Sequence, residues 1–162
     1  MTELEGAILG VLRREPGLSA YAVRRVFQMS VSAEWSGSAG AVYPALARLK
    51  TARLIAGRAQ DDGRGTVTFT LTPAGLAAHD TWLCDVERAA GPGSDPFRTR
   101  AALWLELPAG KRRALMQALK KEIEVRRDAL AAALSSRDMG DRLTDEILIA
   151  QMELKLRWLK TQ

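Results

Sequence analysis

The chain has 162 residues, with 24 Lys+Arg against 19 Asp+Glu, a formal net charge of +5 and a sequence pI near 9.8. A hydrophobic share of 47% and a charged share of 27% exclude disorder as the main state and suit one globular domain or two small ones. No run of about 18 apolar residues is present, which excludes a membrane-spanning helix.

The start, Met1-Thr2-Glu3-Leu4-Glu5, is acidic and lacks the basic region of an export signal. A single Cys84 excludes an internal disulfide framework, and both features fit a reducing cytoplasm. Residues 3–14 set Leu4, Ala7, Ile8, Val11 and Leu12 at helical spacing, and Pro16-Gly17 ends that helix. Ser19 is the expected N-cap of a second helix carrying Tyr21, Val23, Val26 and Phe27. A polar stretch from Ser30 to Gly37, interrupted by Trp35, precedes a third helix from about Ser38 to Ala52.

On a helical wheel the third helix turns Val42, Leu46 and Leu49 toward a core, with Arg53 in the same arc. Ala41, Pro44, Ala47, Arg48 and Thr51 lie opposite, and Tyr43 and Lys50 share a flank. Pro44 is expected in or near the first turn, where its missing N–H does no harm. Leu54 to Arg58 reads as a short strand, and Thr66 to Thr72 alternates, with Val67, Phe69 and Leu71 on one side. Between them Gln60-Asp61-Asp62-Gly63-Arg64-Gly65 is a turn with a basic tip. Thr72-Pro73 starts a fourth helix, expected to run to about Ala90 with Leu76, Leu83 and Val86 inward.

Helix, helix, helix, two-stranded hairpin, helix is the order of a winged helix-turn-helix. Gly91-Pro92-Gly93-Ser94-Asp95-Pro96 is the best linker, which divides the chain into 1–90 and 91–162. The second part is all helix. Phe97, Leu103, Trp104 and Leu107 come first. A long helix from about Pro108 then carries Leu115, Leu119, Ile123, Leu130 and Leu134, and is broken by Gly140. The last helix, about Arg142 to Lys160, has two apolar stripes. Leu143, Ile147, Ala150, Leu154 and Trp158 form one, and Leu148, Met152, Leu156 and Leu159 form the other. A helix apolar on two sides needs two packing partners. A second copy of the chain supplies one of them, so these residues are the expected homodimer interface. The alternative is that other helices of the same chain cover both stripes.

The charge is unevenly placed. Residues 1–90 hold 10 basic and 9 acidic side chains, and residues 91–162 hold 14 and 10. Within the first part, no acidic residue occurs from Trp35 to Gln60, while Arg48, Lys50, Arg53 and Arg58 do. The outward side of the third helix is therefore small and basic, as a close approach to a polyanion requires.

The run Ser38-x-Gly40-x-Val42-Tyr43-Pro44-Ala45-Leu46-x-x-Leu49 closely resembles the recognition-helix motif of PadR-family transcriptional regulators. Ile8-Leu9-Gly10-Val11-Leu12, Ser19-Ala20-Tyr21, Trp35, Leu71-Thr72-Pro73-Ala74-Gly75 and Trp82-Leu83 resemble further pieces of that module in order. Asp95-Pro96-Phe97 and Arg157-Trp158-Leu159 resemble the family's C-terminal helical dimerisation region. The chain departs from the pattern at Ala20 and Arg53, where the family commonly has Gly. Its wing also lacks the basic-then-tyrosine run.

The resemblance implies a mainly helical protein with an N-terminal winged helix-turn-helix, a two-stranded wing and a helical dimerisation region. It implies a homodimeric repressor that binds double-stranded DNA at a pseudo-palindromic operator and responds to a small aromatic effector. Ser38, Ala41, Tyr43, Arg48 and Lys50 on the third helix are the candidate DNA contacts, with Tyr21 and Arg64 as phosphate contacts. Core packing is the competing role for the tyrosines, and a solvated face for the cations. Trp104 and Trp158 are the candidate effector pocket, against ordinary anchoring roles. No membrane, metal or cofactor is expected.

An enzyme finds little support. His79 and Cys84 stand five apart on the fourth helix and share no face, and no zinc spacing, phosphate loop or nucleophile elbow occurs. The alternative to a DNA-binding regulator is a winged-helix protein-interaction adaptor that does not bind DNA.

Overall fold

The computed structural model describes residues 1–29, 38–61, 63, 65–93 and 95–162. Trp35 and Arg64 lie outside the described residues. The chain forms two compact units, Met1–Leu83 and Cys84–Gln162.

The first unit opens with α1 (Glu3–Arg14), set by a capping box. The Thr2 hydroxyl accepts the Glu5 N–H at 3.2 Å, and the Glu5 carboxylate accepts the Thr2 N–H at 2.8 Å. Ile8, Leu9 and Leu12 are buried. Leu4 and Val11, expected on the same stripe, are only half-buried. A short strand β1 (Leu18–Ser19) leads into α2 (Ala20–Gln28), where the Ser19 hydroxyl accepts the Ala22 N–H at 3.2 Å. α2 buries Val23 and Phe27, while Tyr21 and Val26 face outward.

α3 (Ala39–Thr51) buries Val42, Ala45, Leu46 and Leu49. Because α3 starts at Ala39, Pro44 falls in its second turn, deeper than expected. No N–H is available there for the Gly40 carbonyl, and Gly40 is exposed, so solvent can reach that group. The helix ends in a Schellman arrangement. Arg53 N–H donates to the Lys50 carbonyl at 2.9 Å and Leu54 N–H to the Leu49 carbonyl at 3.0 Å. Arg53 takes the left-handed position with φ of 57°, the only non-glycine among the described residues with positive φ. It makes the turn a glycine would make, so the helix is not extended.

β2 (Ile55–Ala59) and β3 (Val67–Leu71) pair antiparallel as the expected wing. β1 adds a third strand on the other side of β3, giving the order β1-β3-β2. This leaves β2 as the edge strand beside α3. Thr72 then ties strand, turn and helix together. Its hydroxyl accepts the Gly75 N–H at 3.0 Å and shares its own hydrogen between the Arg53 and Leu54 carbonyls, at 2.8 and 3.1 Å.

α4 (Pro73–Leu83) is shorter than expected, and Leu76 is exposed where an inward position was read. Two glycines let it close on its neighbours. A Cβ on Gly75 would stand 1.9 Å from the Leu54 carbonyl oxygen, and one on Gly6 of α1 would stand 2.3 Å from the Trp82 ring. His79 is buried, with Nδ1 accepting from Arg13 Nη1 at 3.1 Å. This is a bonded core histidine.

The second unit begins with α5 (Val86–Ala90), started by the Asp85 cap. It packs on α6 (Asp95–Trp104) and α7 (Ala109–Ala133). The compact units therefore divide before the Gly91–Pro96 linker read from the sequence. α7 and α8 (Met139–Leu159) form a helical hairpin. The break between them comes earlier than Gly140, at a 3-10 turn over Leu134–Ser136. Asp138 then caps the Asp141 N–H at 2.9 Å, and Gly140 sits in the first turn of α8. The core of this unit is built from Phe97, Trp104, Leu119, Ile123, Met152 and Leu156.

Candidate nucleic-acid interface

The burial of Val42, Ala45, Leu46 and Leu49 turns the rest of α3 outward. Ser38, Ala41, Tyr43, Pro44, Ala47, Arg48, Lys50 and Thr51 are all exposed, as the helical wheel requires. Ser38 is the N-cap, yet its side chain makes no cap hydrogen bond. Its hydroxyl and the first N–H groups of α3 thus lie together at an exposed helix start, where a phosphate oxygen is well received. Tyr43 sits one turn further on, with its ring only partly covered.

Arg48, a candidate DNA contact, is also engaged within the protein. Its Nε donates to Glu5 Oε1 at 2.6 Å, joining α3 to the start of α1. Glu5 is buried and serves both its capping box and this ion pair. Burial raises its pKa, but the hydrogen bond from the Thr2 N–H and the Arg48 guanidinium outweigh that and hold it below the ordinary 4.5. The Glu5 charge is thereby paired, and Arg48 is oriented by it. No one-helix argument reveals this pair, because its members stand 43 residues apart.

Lys50 lies in the last turn of α3, with its stem near Gly57 on β2; a Cβ there would be 3.7 Å from Lys50 Cε. Arg53 and Arg58 are exposed beyond it. Neither was among the candidate contacts, although the acid-free interval that contains them signalled them. Tyr21 is exposed on the first turn of α2, where Ser19 already satisfies one of the helix-start N–H groups.

The second unit carries two further features. On α8 the stripes separate: Met152, Leu156 and Leu159 are buried within the protomer and are corrected from interface to core, while Leu143, Ile147 and Leu154 remain exposed at 56, 62 and 61%. Leu148 is half-buried between them. Beside α8 a cavity of about 330 Å³ opens against α6. Phe97, Ala101, Leu154 and Trp158 form its apolar walls, and Arg98, Gln151 and Lys155 contribute its polar groups. Trp104, read as part of the pocket, is fully buried behind it. Its ring centroid lies 5.0 Å from Phe97 and 6.2 Å from Trp158, so it supports the wall without lining it.

Three helices, a sheet whose edge strand adjoins the third helix, and a small carboxylate-free outward face on that helix define a winged helix-turn-helix module. Residues 8–80 match the model of the transcriptional regulator PadR-like family. The winged-helix module of this chain is PadR-like. A comparison with curated proteins finds no match.

Among solved structures the chain is similar to Bacillus subtilis PadR in complex with operator DNA, at 21% identity over 98% of this chain and 96% of that one, with a TM-score of 0.49. It is similar to the same regulator in complex with p-coumaric acid, at 21% identity over 99% and 96%, with a TM-score of 0.47. It is also similar to the Streptomyces coelicolor PcaV transcriptional regulator in complex with its natural ligand, at 22% identity over 82% and 77%, with a TM-score of 0.43. Among the described residues no helix is long and apolar enough to cross a membrane.

Proposed function

We propose that this chain is a ligand-responsive repressor that binds a pseudo-palindromic operator as a homodimer in the cytoplasm. The observation that carries the reading is the exposed face of α3, which is small at Ala41 and Ala47, basic at Lys50, and free of carboxylates. Such a face can enter a major groove. Ser38 and Tyr43 offer hydroxyls to phosphate, Ala41 meets a base edge, and Arg48, held by Glu5, presents its remaining N–H donors. Tyr21 on α2 is a flanking phosphate contact, and Arg64 at the wing tip keeps that role as an expectation from its sequence position.

The open stripe of α8, at Leu143, Ile147 and Leu154, with the half-buried Trp158 at its end, supports a dimer. A row of exposed large apolar side chains on one helix face is what a self-complementary interface buries. The aromatic cavity beside it supports an effector site, because it is concave, apolar and within the size range of small-ligand pockets.

The test is fluorescence anisotropy with the promoter DNA of the chain's own gene, titrated with salt. Sequence-preferring binding that falls steeply with salt is expected. Lys50→Ala should weaken it about three- to tenfold and lower the salt slope by about 1. Absence of binding at low salt would overturn the reading.

A further inference from the structure

Two residues of α3 are poor helix formers at positions where the fold gives no reason for them. Gly40 lies in the first turn, where glycine gives up more chain freedom than alanine would. Its φ is not positive. A Cβ on it would meet nothing within 4 Å among the described residues outside the helix's own backbone. Neither backbone conformation nor packing among those residues calls for a glycine. Pro44, inside the helix, lacks the N–H that would bond the Gly40 carbonyl. Gly110 and Gly140, near the starts of α7 and α8, are also free of close contact, but Ala114 and Thr144 four places on keep their N–H groups. On the wheel Gly40, Pro44, Ala47 and Thr51 form the pole opposite the buried Val42, Ala45, Leu46 and Leu49, and all four are exposed.

We propose that the backbone of α3 reads the operator at this pole. The missing Cβ at Gly40 lets the helix approach base edges closely, and the Gly40 carbonyl accepts a hydrogen bond from the exocyclic amino group of adenine in an A·T pair. The proposal rests on the reading of α3 as the helix that enters the major groove.

That groove offers two amino donors, adenine N6 and cytosine N4, and each needs an acceptor. α3 contains no Asp, Glu, Asn or Gln, and Arg48 and Lys50 only donate. The hydroxyls of Ser38 and Tyr43 lie at the start and on the flank of the face. The Gly40 oxygen is the acceptor at its pole. What lies beside it selects adenine over cytosine. The Pro44 ring and the Ala47 methyl are exposed and apolar, which suits the thymine methyl that a G·C pair lacks. A glycine and a proline that weaken the helix are thus accounted for together, by the approach of one DNA edge.

The test uses the full chain and the promoter DNA of its own gene, with the bound site located by footprinting. Gly40→Ala should melt at the wild-type temperature or above it, because alanine favours the helix and the space is open. It should weaken binding to that site at least about tenfold, while binding to unrelated duplex stays within about twofold. Gly110→Ala, the same exchange on α7, should change neither. Adenines of the site are then replaced one at a time by 2′-deoxynebularine, which lacks the amino group, and thymines by deoxyuridine, which lacks the methyl. For the wild type, one adenine and a thymine in the same or the next pair should each cost about three- to tenfold. The adenine loss should disappear in Gly40→Ala, which also serves as the reference for any weakening of the duplex itself. Equal affinity of Gly40→Ala and wild type for the site would overturn the proposal. So would a site without a sensitive adenine, or an adenine loss that persists unchanged in Gly40→Ala. If the wild-type chain prefers no promoter sequence, the repressor reading falls too; if it does and Gly40→Ala matches it, only the backbone contact falls.

Discussion

α1 in the first unit and α8 in the second are both amphipathic, yet they end differently. α1 buries Ile8, Leu9 and Leu12 against its own chain, and two close approaches lock the unit around it: Gly6 under Trp82, and Gly75 under the Leu54 carbonyl. α8 buries Met152, Leu156 and Leu159 on α7 and leaves Leu143, Ile147 and Leu154 outside. A helix with one apolar stripe is satisfied by one partner, whereas a helix with two is satisfied only halfway by a hairpin. α1 is thus covered within its own unit, whereas α8 keeps an exposed apolar stripe.

The sharpest way to break this contrast is at the close approaches. Gly75→Ala places a methyl against a backbone oxygen that has no room to move. It should cost about 4 kcal/mol or more and unfold the first unit in denaturant titrations. The next test sets the two stripes of α8 against each other. Leu156→Asp should collapse the second unit by about 4 kcal/mol, whereas Ile147→Asp and Leu154→Asp should leave the circular dichroism melt nearly unchanged. The latter two should weaken dimerisation by about 100-fold in sedimentation velocity, as expected for central apolar anchors. A melt that falls equally for all three would mean that both stripes are core.

Smaller effects probe the first unit. The Glu5 carboxyl has a folded pKa below its unfolded value, so its contribution is present above about 4.5 and is lost as pH falls through the lower, folded value. Glu5→Gln should flatten that acid limb of the stability curve, and Arg48→Ala should cost about 0.5–1 kcal/mol for a partly exposed pair. An acid limb unchanged in Glu5→Gln would show that the pair does not form in solution. The smallest change is favourable. Arg53→Gly relieves the left-handed position and should stabilise the protein by about 0.5–1 kcal/mol in urea titrations. Loss of stability instead would show that the Arg53 side chain makes up the strain.

Much of the first unit was legible in the sequence because its signals are local. Thr72-Pro73, the alternation from Thr66 to Thr72 and the α3 wheel each use residues a few positions apart, and the structure places them as read. The position of Pro44 and the length of α4 were misjudged for a local reason too. Helix ends are set by which cap forms, and Asp85 starts a new helix where a continuous one was read. In the candidate site, the exposed face of α3 followed from periodicity. The engagement of Arg48 by Glu5 did not, because proximity across 43 residues is a property of packing.

The sequence by itself determined the order of elements, the carboxylate-free helix face and the two-sided character of α8, since each is a pattern of residue type at a fixed backbone period. Only the tertiary structure decided which α8 stripe is core and which is open. It also turned Arg48 toward α1. Periodicity tells which faces are apolar, but what covers a face or pairs a charge depends on atoms brought from elsewhere in the chain.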